Sequence, residues 1–166
     1  MRKLFLVLAA VFATAAIAVP AASAGNGHFI ANATGVSLSG ANLVCSFKEA
    51  GLESGSVETI SCAGNEVVTY ECVNGGNKNP SASNKTSVTG PFNKSDNFTA
   101  AKNGNVVGSL TVTPLSATDV GFSCPNGQKV TFVSVCYSDV TITDSTSGAM
   151  AGPFPGPFCF TNPNAP

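Results

Sequence analysis

Apolar and polar residues alternate with a period of two along most of this chain, and clusters of Gly, Ser, Asn and Pro interrupt the alternation. The pattern opens clearly at Leu43-Val44-Cys45-Ser46-Phe47, whose odd positions are apolar and whose successor, Lys48, is charged. A turn is expected at Gly51-Leu52-Glu53-Ser54-Gly55, a second strand over residues 57–62, a turn at Ala63-Gly64-Asn65 and a third strand over 67–73. Alternation broken by such clusters marks a half-buried antiparallel sheet. Cys45, Cys62 and Cys72 share the parity of the apolar residues beside them, so each is expected to face a core. Upstream, Val36-Ser37-Leu38 reads as a short first strand, and Phe29 and Ile30 are candidates for an edge strand.

Residues 74–85 are polar throughout, and Pro80 with the glycines rules out a strand across them. Twelve residues is long for a loop in a compact domain. Strand signals return at 86–89, around Phe98, and most clearly at 106–112, where Val106, Gly108, Leu110 and Val112 share a face before Pro114. Phe122 and Cys124 suggest the end of another short strand, Pro125-Asn126-Gly127 a turn, and residues 130–142 a long strand. Its apolar parity switches between Phe132 and Val133 and again by Val140, which calls for a bulge or burial on both faces. From about residue 150 the Pro/Gly/Phe-rich tail lacks the donors of a central strand and reads as an extended cover held by Cys159. Ser61–Tyr70 and Ser123–Phe132 echo each other at Ser, Cys, Val and Thr, through duplication or chance. Eight or nine short strands and no convincing helix predict an all-β, antiparallel β-sandwich stapled by disulfides.

The first 24 residues stand outside that domain. Arg2-Lys3, an apolar run and Ala22-Ser23-Ala24 form a secretory signal peptide, with cleavage expected after Ala24 and a single domain over 25–166. The run falls short of the roughly 20 apolar residues a membrane span needs, so the mature chain is read as secreted and uninserted. It carries six lysines, no arginine and nine acids, a net charge of about −3. Nucleic-acid binding requires a basic face that this chain cannot supply. Its low charge and abundant Ser, Thr, Asn and Gly suit an extracellular protein with a polar, uncharged surface.

Six cysteines in an exported chain imply three bridges. Residues facing each other in a hairpin have a constant index sum, which centres Cys45–Cys62 on the turn at Glu53-Ser54 and Cys136–Cys159 on Ser147-Gly148. Cys72–Cys124 is then a long-range staple. The rival pattern joins Cys62–Cys72 and Cys124–Cys136 locally.

Chemistry is thinly represented, and no catalytic set assembles. The single histidine, His28, lies close to the mature terminus, a poor place for the rigid base of a nucleophilic triad. Nine scattered acids leave two-carboxylate catalysis open, but a solvated sheet face is the better reading of Glu49, Glu53, Glu58, Glu66 and Glu71. No metal or cofactor is expected; only a cut after Gly25 would let Asn26-Gly27-His28 wrap a square-planar ion through His28. Without tryptophan, only Tyr137, Phe154 and Phe158 could form aromatic platforms for sugars, and core or cover is the better reading of each.

Several segments carry a resemblance: His28-Phe29-Ile30, Ser46-Phe47-Lys48-Glu49-Ala50-Gly51-Leu52, Tyr70-Glu71-Cys72-Val73-Asn74-Gly75-Gly76, Pro80-Ser81-Ala82-Ser83-Asn84-Lys85 and Phe122-Ser123-Cys124-Pro125. In these the chain resembles uncharacterised secreted β-rich proteins of actinobacteria, which implies an address and no mechanism. Its cysteine content exceeds that group's usual pattern. Ala50-Gly51-Leu52-Glu53-Ser54-Gly55-Ser56 and Asn103-Gly104-Asn105-Val106-Val107-Gly108-Ser109-Leu110-Thr111-Val112 are also similar to segments of the neocarzinostatin-type chromophore carriers. That likeness implies an immunoglobulin-like sandwich, in those proteins with a ligand cleft.

The expectation is therefore a non-enzymatic, extracellular surface-interaction or adhesion-type protein whose partner the residues do not identify. Its contact site is expected on the polar loop, at Asn74, Asn77, Lys78, Asn79, Asn84 and Lys85. The alternatives are a carrier of a small-molecule ligand and, behind it, a secreted hydrolase or inhibitor.

Overall fold

Nine strands, all paired antiparallel, divide between two sheets in the computed structural model, which describes residues 26–76 and 84–166. The expected leader, its cleavage site and the loop residues Asn77, Lys78 and Asn79 lie outside the described residues. In the smaller sheet, β3 (Asn42–Ala50) pairs on one side with β1 (His28–Phe29) and β2 (Gly35–Ser39), and on the other with β6 (Val106–Val112). In the larger, β5 (Lys85–Thr99), β4 (Val57–Val73) and β7 (Lys129–Asp144) lie side by side. The far edge of β7 is lined by β8 (Met150–Ala151) and β9 (Phe158–Thr161). No α-helix occurs among the described residues.

The alternation read along the chain is what lets the sheets pack. Leu43, Cys45, Phe47 and Leu110 from the smaller sheet meet Ile60, Cys62, Val135, Tyr137 and Ile142 from the larger in one buried cluster. Phe47 sits edge-on to Phe98, ring centroids 5.0 Å apart, and both rings cover Gly108. The expected strand at 106–112 and the edge strand at Phe29 are present. The proline-rich tail contributes edge strands alone, with Phe154, Phe158 and Phe160 packed against the core.

Four expectations need correction. First, β3 and β4 are not hairpin partners: the chain crosses between sheets through residues 51–56, where Gly51 and Gly55 take positive φ. Period-two alternation tells which face a residue shows but not which sheet holds it. Second, Ala63-Gly64-Asn65 is no turn; β4 runs unbroken for 17 residues. Gly64 serves close approach instead, because a Cβ there would meet the Ser138 carbonyl oxygen at 2.7 Å and the Phe92 ring at 2.9 Å. Third, β5 continues through Gly90 and Pro91 for 15 residues, which an edge strand tolerates because proline's missing donor costs no ladder bond. Fourth, Phe122 and Cys124 belong to the irregular connection between β6 and β7 rather than to a strand. The two echoing segments are therefore not equivalent structural units.

The parity switches of β7 are register shifts against β4, one near Val133 and one at Asp139, whose φ of 55° is left-handed. Each places one extra residue in β7 and turns the following side chains over.

The three bridges are Cys45–Cys62, Cys72–Cys124 and Cys136–Cys159, the pairs the index-sum argument favours. Only Cys136 and Cys159 face each other as antiparallel strand neighbours, across β7 and β9. Cys45–Cys62 instead ties one sheet to the other through the core, Cα atoms 6.3 Å apart.

Candidate functional site

β4 and β5 stay in unbroken register from Val57↔Thr99 to Glu71↔Lys85, and the polar segment that connects them in sequence starts and ends at this tip of the pair. At the base of the tip, Lys85 Nζ lies 3.6 Å from Glu71 Oε2, and Asn84 donates to Gln128 Oε1 at 3.0 Å. Asn74 Oδ1 accepts from the Gly76 amide, and Cys72–Cys124 anchors the end of β4 to the connection before β7. Of the six expected loop residues, Asn74 and Asn84 thus lie beside the bonded base, and Lys85 is not loop but the first residue of β5.

The outward face of the larger sheet continues from that tip. Its register sets Asn97 beside Thr59, Ser95 beside Ser61 and Thr143, and Asn93 beside Ala63 and Thr141. Pro91 lies beside Asn65 and Ser138, and Thr89 beside Val67. No side chain in these rows is charged; Asp139, at the bulge, binds Asn65 and Ser138. Cross-strand bonds order the face: Thr59 Oγ1 donates to Asn97 Oδ1 at 2.9 Å, and Ser61 and Thr143 hydroxyls meet at 3.1 Å.

A second group of residues lies between the sheets, at the end remote from the tip. Glu49 is the penultimate residue of β3, Glu58 the second of β4 and Asp144 the last of β7, all facing inward and at most 3% exposed. One oxygen of each carboxyl is held locally. Ser147 Oγ donates to Glu49 Oε1 at 2.7 Å, Ser56 Oγ to Glu58 Oε1, and the Thr146 amide to Asp144 Oδ1 at 2.8 Å. The other three oxygens have no hydroxyl, amide or cation partner, and Asp144 lies against both glutamates. Such carboxyl–carboxyl contacts become hydrogen bonds only when one member of each pair holds a proton. Burial, then the Asp144 and Glu58 charges, push Glu49 up to about 7 against the opposing Ser147 bond. Burial and Asp144 also raise Glu58, against the Ser56 hydroxyl.

Glu66 and Tyr70 face inward farther along β4, beneath the connection over residues 113–128. The Leu115 amide donates to Glu66 Oε2 at 3.2 Å, and the Tyr70 hydroxyl donates to the Leu115 carbonyl at 2.7 Å. Burial raises Glu66 against that amide bond. Beside this clamp lies a cleft of about 400 Å³ bounded by Glu66, Phe92, Lys94, Thr111, Thr113 and Leu115.

The solvated reading of the acids is thus overturned for Glu49, Glu58, Glu66 and Glu71, each buried; only Glu53 is exposed. For Glu49, Glu58 and Glu66 the available signal was inward parity with Cys45, Phe47, Ile60 and Cys62, whereas Glu71 has the parity of Thr59 and Ser61 and gave no such signal. Tyr137 is fully buried, its hydroxyl donating to the Ala41 carbonyl at 2.9 Å, so it offers no platform. His28 sits exposed on β1 with Nδ1 2.9 Å from the Asn26 carbonyl oxygen. Among the described residues, no three His, Cys, Asp or Glu side chains are grouped to hold a metal ion.

No protein-family model and no curated protein matches the chain. Among solved structures it is similar to the solution structure of CsgH from R. palustris, at 12% identity over 77% of this chain and 87% of that one. The TM-score is 0.19, too low to bear on fold or function.

Proposed function

We propose that the protein is a secreted, non-enzymatic, immunoglobulin-like sandwich that attaches to an extracellular surface through its β4–β5 hairpin. The observation that carries this reading is the hairpin itself. Fifteen residues of β5 pair without slip against β4, and an ion pair, a disulfide and the Asn84–Gln128 bond support the base of the polar loop. Loops presented on rigid scaffolds are where binding function concentrates. Three disulfides suit an oxidising, extracellular compartment. Among the described residues, no helix is long and apolar enough to cross a membrane.

The test replaces residues 77–83 with a tight turn and measures retention on the producing cell's surface. Retention lost from a protein with unchanged thermal unfolding supports the assignment; unchanged retention refutes it.

The cleft beside Leu115 favours a second reading, a small-molecule carrier. Its volume is within the range of ligand sites, while the centre of the sandwich is filled by Tyr137, Phe47 and the Cys45–Cys62 bridge. Native mass spectrometry of secreted protein separates the two readings, because cargo adds a mass that vanishes on denaturation.

A further inference from the structure

The outward face of the larger sheet narrows the class of partner, and the step rests on the surface-interaction reading above. We infer that the β5–β4–β7 face docks a neutral, hydroxyl-rich polysaccharide.

Three properties of the face converge on that chemistry. Its rows, from Asn97–Thr59 to Thr89–Val67, contain no cationic side chain, and the one carboxylate bonded to them is Asp139, held by Asn65 and Ser138, so an anionic polymer gains no ion pair there and a cationic one finds a single charge. Its side chains mix hydroxyl or amide groups with methyl-sized apolar surface, from the Thr methyls, Ala63, Val67 and Pro91. A sugar ring offers the same mixture of hydroxyls and C–H faces. Finally, the face is ordered before a partner arrives. The Thr59–Asn97 and Ser61–Thr143 bonds fix side-chain rotamers, reducing the entropy lost on docking.

Each hydroxyl that makes one bond within the sheet retains capacity for others, having one donor and two acceptor sites. The groups recur at about 4.8 Å across strands and about 6.8 Å along alternate positions of a strand. Such a grid suits a repeating polymer better than a single small sugar. With no aromatic platform in these rows, affinity must come from many modest contacts made together.

The experiment measures depletion of the secreted protein by microcrystalline cellulose and by chitin powder, at about 0.05 M and about 1 M sodium chloride. Binding to at least one, with affinity changed less than about twofold by salt, is the expected result. Two variants test the face itself. The triple variant Thr59→Val, Ser61→Ala, Thr143→Val removes hydroxyls at nearly constant shape, and Ser95→Lys places one charge on the exposed edge strand. Each should weaken binding about tenfold or more while thermal unfolding and cell-surface retention through the loop persist.

Parent-like binding by both variants, displacement by salt, or binding to neither polymer overturns the inference. Loop-dependent cell-surface retention without polysaccharide binding sinks this inference alone. Retention that ignores the loop, with no polysaccharide bound, sinks both. Self-association abolished by Ser95→Lys would assign the face to a second copy of the chain and overturn the inference.

Discussion

Glu49 holds its proton to higher pH than a solvated glutamate because its carboxyl lies between two sheets beside the charge of Asp144. Its ordinary value of 4.5 applies to the unfolded chain, and about 7 to the folded one. The neutral form is therefore the one that folding favours. Stability from this group is complete below about 4.5 and is lost as pH rises through about 7. Glu58 shifts in the same direction. Stability against thermal unfolding should accordingly fall from about pH 5 to about pH 8, by on the order of 2–3 kcal/mol, and Glu49→Gln should flatten that slope. A parent protein that gains stability toward alkaline pH, or a Gln variant with the parental slope, would contradict the arrangement. A packing prediction belongs to the same scale. A Cβ on Gly108 would meet Phe98 at 2.7 Å and Phe47 at 2.9 Å, both rings held in an edge-on pair. Gly108→Ala should therefore cost about 1–3 kcal/mol in urea unfolding, whereas an effect near zero would mean the rings move freely. Tyr137→Phe should cost about 1–2 kcal/mol, since it strands the Ala41 carbonyl beside a fully buried ring.

At the scale of elements, what could be read from the chain depended on whether a feature was local. The strand Val106–Val112, the edge role of the tail and the parity switches of β7 were all legible, because each follows from alternation and proline chemistry within a short window. The length of β4 was not. Gly64 flanked by Ala63 and Asn65 reads as a turn, and only the neighbouring Phe92 ring and Ser138 carbonyl reveal that it fills a tight spot in a continuous strand. The candidate site divides in the same way. Asn74, Asn84 and Lys85 were identified from composition, yet their support by Glu71, Gln128 and Cys72–Cys124 arises from partners distant in sequence. The carboxyl trio could have been found from inward parity alone, had parity been weighed above the usual preference of acids for water. The hydroxyl rows needed the register of three strands before they became a surface.

Across the whole molecule, Cys45–Cys62 has a different role from that implied by a hairpin. It joins the sheets at the centre of the core, where both residues are fully buried. Replacing both with alanine should lower stability by about 2–4 kcal/mol through the freed unfolded chain, with a further loss from the small cavity left behind. Equal urea midpoints for parent and variant would show that the core closes without the bridge.

Hydrogen–deuterium exchange of the secreted protein, free and bound to the producing cell's isolated surface material, tests the attachment account most directly. Protection gained across peptides of residues 73–99, with the smaller sheet unchanged, is the predicted result. Protection confined to β1, β2, β3 and β6, or no change anywhere while the protein is bound, would show that the hairpin is not the contact element.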